Sequence, residues 1–246
     1  MGLEYKISLV IPAYNEEELI ERAIKTSIDF LSTITNDYEI IIVNDASSDR
    51  TGQIVDSYAQ LNPNVKPIHN KNNLGSGRSL FIGLKSARYD FVLTNFADLP
   101  FDINELAGIL TLIVREGIDF VVVTRINRKA NSTYRKITSL INYWLIRLIF
   151  NLKVRDFQFV QIYKKIIIEA INVQSCGTFA APEIIIGALD KGFKMMEYSA
   201  VFNPRIAGSS KCGSPRIILQ TLLEMIIFWY TRLASSGNLG KLRYLV

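Results

Sequence analysis

The stretch YEIIIVNDASSD at residues 38–49 places four consecutive aliphatic residues, 40–43, directly before a run of Asn, Asp and Ser. A strand that is apolar on both of its faces is typical of a parallel sheet covered by helices on both sides. The polar residues after such a strand lie at its carboxyl end, where open α/β sheets bind their ligands. The stretch therefore predicts an α/β fold with a binding site near Asp45.

The same alternation of strands and helices runs through the first half of the chain. Short β-rich runs are predicted at residues 7–11, 38–43, 65–69, 91–94 and 120–124. Amphipathic helices are predicted between them at residues 16–31, 49–60, 77–87 and 104–116. Strands that alternate with helices predict a mostly parallel sheet flanked by helices. The polar segments that follow the strands are expected to meet at one edge of this sheet.

The alternation stops after Arg125. A long helix is predicted over residues 133–151, a mixed region follows to residue 205, and a second long helix is predicted over 214–233. Both helices contain apolar stretches interrupted by charged residues, and we expect both to fall short of a membrane-spanning helix. They are interpreted as core helices or as amphipathic helices in a membrane interface. We predict a globular domain at residues 1–212 and a C-terminal amphipathic helix with a tail at 213–246.

Composition and charge exclude some classes of protein and favour certain binding partners. The chain has 246 residues, 49% of them hydrophobic, which excludes disorder. Residues 1–123 carry 10 basic and 17 acidic side chains, whereas residues 124–246 carry 18 and 6. The basic second half favours an anionic partner such as a phosphate or an acidic membrane surface, unless the two halves pair internally. Nucleic acid is the least favoured partner, because the basic residues lack interleaved aromatic side chains.

Several common sites are excluded by missing motifs. The first strand is followed by PAYNE at residues 12–16 rather than by a glycine-rich dinucleotide turn, and no P-loop or nucleophile elbow occurs. His69 is the only histidine, which excludes histidine metal sites and a Ser-His-Asp hydrolase. Two cysteines, Cys176 and Cys212, form no disulfide framework, and the N-terminus has no signal-peptide pattern. We therefore expect a cytoplasmic protein.

Asp45 is the first candidate site residue. A carboxylate at a strand end can accept hydrogen bonds from the N–H edge of uracil or guanine. It can equally cap its own loop by accepting backbone N–H groups. The residues alone leave these two roles open.

The motifs taken together resemble a known family. SLVIPAYNEE at residues 8–17, IIVNDASSDRT at 41–51 and NLGSGR at 73–78 resemble the opening of a family 2 glycosyltransferase with the GT-A fold. Later motifs resemble the branch that contains dolichol-phosphate mannosyltransferases and other polyprenyl-phosphate sugar transferases. They are Thr124-Arg125, Arg135 with Ser139, Asp156 before FQFVQIY, and FNPRIAGSSK at 202–211. The resemblance covers about residues 5–212.

This resemblance assigns residues to a donor and to an acceptor. The residues assigned to the nucleoside-diphosphate sugar are Pro12, Tyr14, Glu16, Asp45, Arg205 and Lys211. Those assigned to the acceptor phosphate are Arg125, Arg135 and Ser139. The catalytic residues that it implies are Asp98, Arg125 and Asp156. Asp156 is interpreted as orienting an arginine, or as the general base if the acceptor is a hydroxyl.

The sequence departs from the family at its metal-binding motif. The family has Asp-x-Asp there for a divalent cation, Mg²⁺ or Mn²⁺, whereas this chain has Phe96-Ala97-Asp98. Asp98 keeps the second carboxylate and is the predicted metal ligand, with Asp102 as a further oxygen donor. A single carboxylate can hold such a cation together with substrate phosphates and water. The alternatives are metal-independent transfer, with Arg and Lys neutralising the diphosphate, and a catalytically silent binding module.

The predicted function is inverting transfer of a sugar from a nucleoside-diphosphate sugar to a polyprenyl phosphate. An ionised lipid phosphate can attack without a general base, and the base motifs of the hydroxyl-specific branches are absent from the sequence. Transfer to a saccharide hydroxyl is the alternative within the same fold. The two apolar helices predict peripheral contact with the cytoplasmic face of a membrane. The sequence leaves the sugar, the base and the oligomeric state open.

Overall fold

The computed structural model describes residues 5–126, 133–204 and 215–235. The strands are β1 (Ile7–Ala13), β2 (Tyr38–Asn44), β3 (Val65–His69), β4 (Phe91–Thr94), β5 (Phe120–Arg125), β6 (Gln161–Lys164) and β7 (Met195–Ala200). The helices are α1 (Ile20–Ile34), α2 (Thr51–Leu61), α3 (Ser76–Ser86), α4 (Leu106–Glu116), α5 (Thr133–Phe150), α6 (Lys165–Ala170), α7 (Ala180–Asp190) and α8 (Pro215–Ser235).

The strands form one seven-stranded sheet in the order β3-β2-β1-β4-β6-β5-β7. β1 is parallel to β2 and β4, β2 is parallel to β3, and β5 is parallel to β7. β6 is antiparallel to both of its neighbours, β4 and β5. Because β6 is antiparallel to both neighbours, β5 runs in the same direction as β4. All strands except β6 therefore end at the same edge of the sheet. The mostly parallel α/β fold is confirmed, and the predicted polar strand ends do share this edge.

Both faces of the sheet are buried, as the apolar runs predict. Ile40 and Ile42 of β2 face a core that is covered by α1, α2 and α4. Ile41 and Val43 face the second core, to which α3 and the helices of the second half contribute. Because successive side chains of a strand point to opposite faces, one run of four aliphatic residues serves both cores.

The structure differs from the expected elements at the start of α1 and agrees with the mixed region expected before residue 205. α1 begins at Ile20 rather than at residue 16, because residues 16–19 form a turn whose backbone is bonded to the loop after β2. The region between α5 and residue 205 was expected to be mixed, and it contains the inserted strand β6 and the edge strand β7. The predicted domain boundary at residues 212 and 213 lies outside the described residues and stays a prediction.

Helices α5 and α8 pack against each other and leave apolar side chains exposed. The exposed residues are Leu140, Ile141, Trp144 and Leu148 on α5, and Leu219, Leu223, Ile226, Ile227 and Tyr230 on α8. We call this set the apolar face. Within the described residues, Arg216–Ala234 is long and apolar enough to cross a membrane. The expectation that this segment falls short was wrong, because its 19 residues extend about 28 Å, close to the thickness of a hydrocarbon core.

Candidate active site

Two loops at the carboxyl edge of the sheet are bonded into one unit. The backbone N–H of Asn15, after β1, donates to Ser47 Oγ at 2.9 Å, and the N–H of Ser48 donates to Asn15 Oδ1 at 2.8 Å. The N–H of Glu16 donates to Thr51 Oγ1 at 2.8 Å. These bonds join the β1–α1 loop to the β2–α2 loop, so the predicted donor residues Pro12, Tyr14 and Glu16 lie beside the end of β2.

Asp45 holds a third loop against this pair. Its side chain is 3% exposed. Oδ1 accepts from the N–H of Leu74 at 2.8 Å and from Asn70 Nδ2 at 2.9 Å, and Oδ2 accepts from the N–H of Gly75 at 3.0 Å. The structure therefore gives the Asp45 carboxylate a loop-holding role, but the loop that it holds is the β3–α3 turn rather than its own loop.

The glycines of the β3–α3 turn are explained by a second segment that packs on it. Gly75 has φ +91°, and a Cβ there would lie 2.7 Å from the carbonyl oxygen of Cys176. A Cβ on Gly77 would lie 2.1 Å from the carbonyl oxygen of Gly177. The Cys176 carbonyl accepts from the N–H of Gly77 and the N–H of Arg78, at 2.9 and 3.1 Å. The first turn of α3 is thus capped by a backbone carbonyl from a segment about one hundred residues away.

Two carboxylates fix this segment from its other side. Glu183 is buried and accepts from the N–H groups of Gln174 and Ser175 at 2.9 and 3.0 Å. Glu224, in the middle of α8, accepts from the N–H groups of Cys176 and Gly177 at 3.0 and 2.9 Å. A continuous set of hydrogen bonds therefore links Asp45 to α8 through the β3–α3 turn.

The end of β4 carries the altered metal motif. Phe96 and Asp98 are both half-buried, and the exposed Asp102 accepts from the N–H and the Nδ2 of Asn104 at 3.0 and 2.7 Å. Asp102 thus caps the turn that follows. Among the described residues, no three His, Cys, Asp or Glu side chains are grouped to hold a metal. A carboxylate oxygen is nevertheless the ligand that Mg²⁺ and Mn²⁺ prefer, so Asp98 fits a cation whose other ligands come from substrate and water.

Arg125, at the end of β5, is paired with Asp156. Its Nε and Nη2 donate to the two carboxylate oxygens at 2.7 and 3.1 Å. The guanidinium also lies 5.4 Å from the ring centre of Phe159 and 5.8 Å from that of Phe202. Bidentate pairing and aromatic contacts hold an arginine in one orientation. Both oxygens of Asp156 accept from Arg125, which is the arrangement that the orienting role requires.

An open concavity of about 410 Å³ lies beside Arg125. Its lining residues are Thr124, Arg125, Ile126, Arg155 and Ser199. Arg155 and Ser199 were not predicted from the sequence, because neither belongs to a matched motif. The only signal for Arg155 was its position directly before Asp156. β6 lies between β4 and β5, so these two strands are about 10 Å apart across the sheet.

Four predicted site residues cannot be placed in this geometry. Arg205 and Lys211 lie outside the described residues. Arg135 and Ser139 belong to α5, but their side chains fall outside the part of the chain that the structure describes. Their assigned roles stay predictions.

The chain is similar to known glycosyltransferases. The family model of glycosyl transferase family 2 matches residues 8–175. A prophage bactoprenol glucosyl transferase homolog from Escherichia coli is 32% identical over 151 residues, which cover 61% of this chain and 49% of the relative. An undecaprenyl-phosphate 4-deoxy-4-formamido-L-arabinose transferase from Proteus mirabilis is 34% identical over 135 residues, covering 54% and 41%. The chain thus spans less than half the length of these relatives.

The fold is also similar to solved structures. Glucosyl-3-phosphoglycerate synthase from Mycobacterium tuberculosis, in complex with Mn²⁺, UDP and glucosyl-3-phosphoglycerate, aligns with a TM-score of 0.68 at 16% identity, covering 91% of this chain and 80% of that one. Mannosyl-3-phosphoglycerate synthase from Rubrobacter xylanophilus aligns with a TM-score of 0.66, also at 16% identity, covering 96% and 76%. These alignments establish the GT-A fold.

The role of Asp45 predicts a loss of stability in Asp45→Asn. An asparagine offers one acceptor oxygen where the carboxylate offers two, so the N–H of Gly75 would face an amide NH₂. We expect the free energy of unfolding to fall by about 3 kcal/mol, measured by denaturant titration. Asp102→Asn is the matched control, because Asn and Asp cap helices equally well, and it should change the value by less than about 0.5 kcal/mol. Equal effects of the two substitutions would contradict the loop-holding role.

Proposed function

The chain belongs to glycosyl transferase family 2, and on this premise we propose that it is an inverting glycosyltransferase. It transfers a sugar from a nucleoside-diphosphate sugar to a polyprenyl phosphate at the cytoplasmic face of a membrane. The observation that carries the choice of acceptor is the Arg125–Asp156 pair. The carboxylate that could act as a general base is committed to an arginine, and that arginine lines a concavity.

The donor site is proposed at the joined loops after β1, β2 and β3. Tyr14 is exposed there and offers an aromatic face to a base, with Glu16 on the same loop and Pro12 at the end of β1. Asp45 supports the site by holding the β3–α3 turn in place. The assignment of Arg205 and Lys211 to the diphosphate is part of this proposal and rests on the motif resemblance.

The acceptor side follows from the charge of the nucleophile. A phosphate monoester is already ionised at neutral pH, so no residue has to remove a proton before it attacks the anomeric carbon. What the site must supply is cationic groups that hold the phosphate in line with the bond that breaks. Arg125, fixed by Asp156, does this from the described part of the chain, and Arg135 and Ser139 are proposed to assist it.

A transfer assay tests the proposed function. The protein is incubated with UDP- and GDP-hexoses and with geranyl phosphate or geraniol, and products are identified by mass spectrometry. We expect a sugar-phosphate lipid from one donor with geranyl phosphate and no product with geraniol. Glycosylated geraniol would favour a hydroxyl acceptor. Nucleotide binding without transfer to any acceptor would favour the silent module that Phe96 suggests.

Asp98 is proposed to hold a divalent cation with help from the donor. A bound cation would supply positive charge to the leaving diphosphate. The family likeness supports this role, since a structural relative binds Mn²⁺ together with UDP. The single carboxylate implies that metal and nucleotide bind together here, because the described residues supply no three-ligand group.

Calorimetric titration of Mn²⁺ tests this interdependence. We expect no saturable Mn²⁺ binding to the nucleotide-free protein and clear binding once UDP or GDP is present. Asp98→Asn should abolish the gain in nucleotide affinity that Mn²⁺ gives, whereas Phe96→Asp should increase it by adding a second carboxylate. Tight Mn²⁺ binding without nucleotide, or an unchanged gain in Asp98→Asn, would contradict the assignment.

The apolar face is proposed to lie on the membrane surface. Two charged residues of α8 are bonded to the globular part of the chain: Glu224 to Cys176 and Gly177, and Arg232 to Asp190 at 2.6 and 2.7 Å. A spanning orientation would break these bonds. When α8 remains packed against the domain, its exposed apolar residues face away from the domain. This arrangement suits a helix that lies in the plane of a membrane interface.

Vesicle binding tests this orientation. Leu223→Glu with Ile227→Glu should reduce partitioning onto vesicles of phosphatidylglycerol and phosphatidylcholine at least tenfold, because burial of each apolar side chain contributes about 2 kcal/mol. Leu61→Glu is the control, since Leu61 is an exposed apolar residue at the end of α2, away from the apolar face. Partitioning that is unaffected by the double substitution, or is lowered equally by the control, would overturn the proposal.

A further inference from the structure

The concavity beside Arg125 contains a second arginine that no motif assigns. Arg155 is 59% exposed and lines the concavity together with Arg125. Its Nε donates to Glu197 Oε2 at 3.0 Å, and its Nη2 donates to Ser199 Oγ at 3.2 Å. Glu197 also accepts from the backbone N–H of Arg155. The guanidinium is thus held on the wall of the concavity by β7, just as Arg125 is held by Asp156.

The remaining lining residues complete an amphiphilic site. Thr124 is buried at the floor, and its Oγ1 lies 3.3 Å from Ser199 Oγ. Ile126, at the rim, is 67% exposed, and its backbone N–H donates to the carbonyl of Ala200. Two guanidinium groups and two hydroxyls suit a phosphate, whose oxygens accept several charge-assisted hydrogen bonds. An exposed isoleucine at the rim suits an apolar chain attached to that phosphate.

We propose that Arg155, with Thr124 and Ser199, forms the second half of a binding site for a prenyl phosphate, opposite Arg125. The inference rests on the proposed function, because it identifies the acceptor as the occupant of this concavity. Arg155 determines the affinity of the concavity for phosphate, and Glu197 limits that affinity. The carboxylate of Glu197 fixes Arg155 in place but also opposes the arriving negative charge.

Substitutions of Arg155 and of Glu197 are expected to change the affinity for geranyl phosphate in opposite directions. Arg155→Ala removes a charged donor and should weaken the binding of geranyl phosphate about tenfold or more. Arg155→Lys keeps the charge but loses the planar guanidinium group. Its affinity for geranyl phosphate should lie between those of the wild type and Arg155→Ala. Glu197→Gln keeps an acceptor for the N–H of Arg155 but removes the opposing charge, and should strengthen binding by roughly fivefold.

The measurement is a calorimetric titration of the donor-free protein with geranyl phosphate, geraniol and inorganic phosphate. Arg115→Ala is the control, because Arg115 is also an exposed arginine paired with a carboxylate, Glu116, but precedes β5 at the opposite edge of the sheet. We expect geranyl phosphate to bind more tightly than either fragment, with the control unchanged. Binding that is equal in wild type and Arg155→Ala overturns the inference. Equal affinity for inorganic phosphate and geranyl phosphate overturns the lipid assignment.

The transfer assay separates this inference from the proposed function. Arg155→Ala should raise the KM for geranyl phosphate and leave the KM for the donor unchanged. If the wild type transfers sugar but Arg155→Ala has an unchanged KM for geranyl phosphate, the inference fails and the proposed function stands. If the wild type binds geranyl phosphate through Arg155 but transfers nothing, the site stands and the proposed function fails.

Discussion

The buried carboxylate of Asp45 is the interaction on which the geometry of the site depends. It is the only described side chain that bonds the end of β2 directly to the backbone of the β3–α3 turn. That turn must then accept the close approach of Cys176 and Gly177, which only glycine at positions 75 and 77 allows. A buried charge that accepts three hydrogen bonds is stable, but it becomes costly if one donor is lost. The site edge is therefore assembled as a unit, with α8 attached through Glu224.

The sequence predicts the first half of the fold well for a physical reason. A strand with apolar residues on both faces fits only a covered sheet, and the polar residues after it then fall at the binding edge. Residues 40–45 contain all of this information locally. β6 is not predicted from the sequence. It has only four residues, and its antiparallel position between β4 and β5 depends on contacts with strands that are distant in the chain. The bounds of α8 were predicted to within two residues, but its charged residues were counted against a membrane span, although two of them are bonded to the domain.

Site residues that belong to a motif on one segment could be predicted from the sequence. Those whose role depends on contact between distant segments could not. Asp45, Asp98 and Arg125 are located by their positions after strands. The roles of Gly77 and Glu224 depend on the Cys176 segment, which no local pattern connects to them. Arg155 belongs to no motif, and only the parallel pairing of β5 with β7 brings it to Glu197 and Ser199 beside Arg125. The proposed donor and acceptor sites thus lie at one edge of the sheet, with β4 and β6 between β1 and β5.

The joined loops after β1, β2 and β3 are proposed to bind a nucleoside diphosphate, and the rest of the proposed function depends on this site. The most direct measurement is a calorimetric titration of wild type and Tyr14→Ala with UDP and with GDP, each with and without Mn²⁺. Hydrogen bonds that join the loops after β1 and β2 are made by Asn15, Glu16, Ser47, Ser48 and Thr51, and Tyr14→Ala keeps all of these donors and acceptors. The account predicts that one of the two nucleotides binds with micromolar affinity and that Tyr14→Ala weakens this binding roughly tenfold through the loss of base stacking. Absence of binding by both nucleotides under all conditions, or equal binding by Tyr14→Ala, would contradict it.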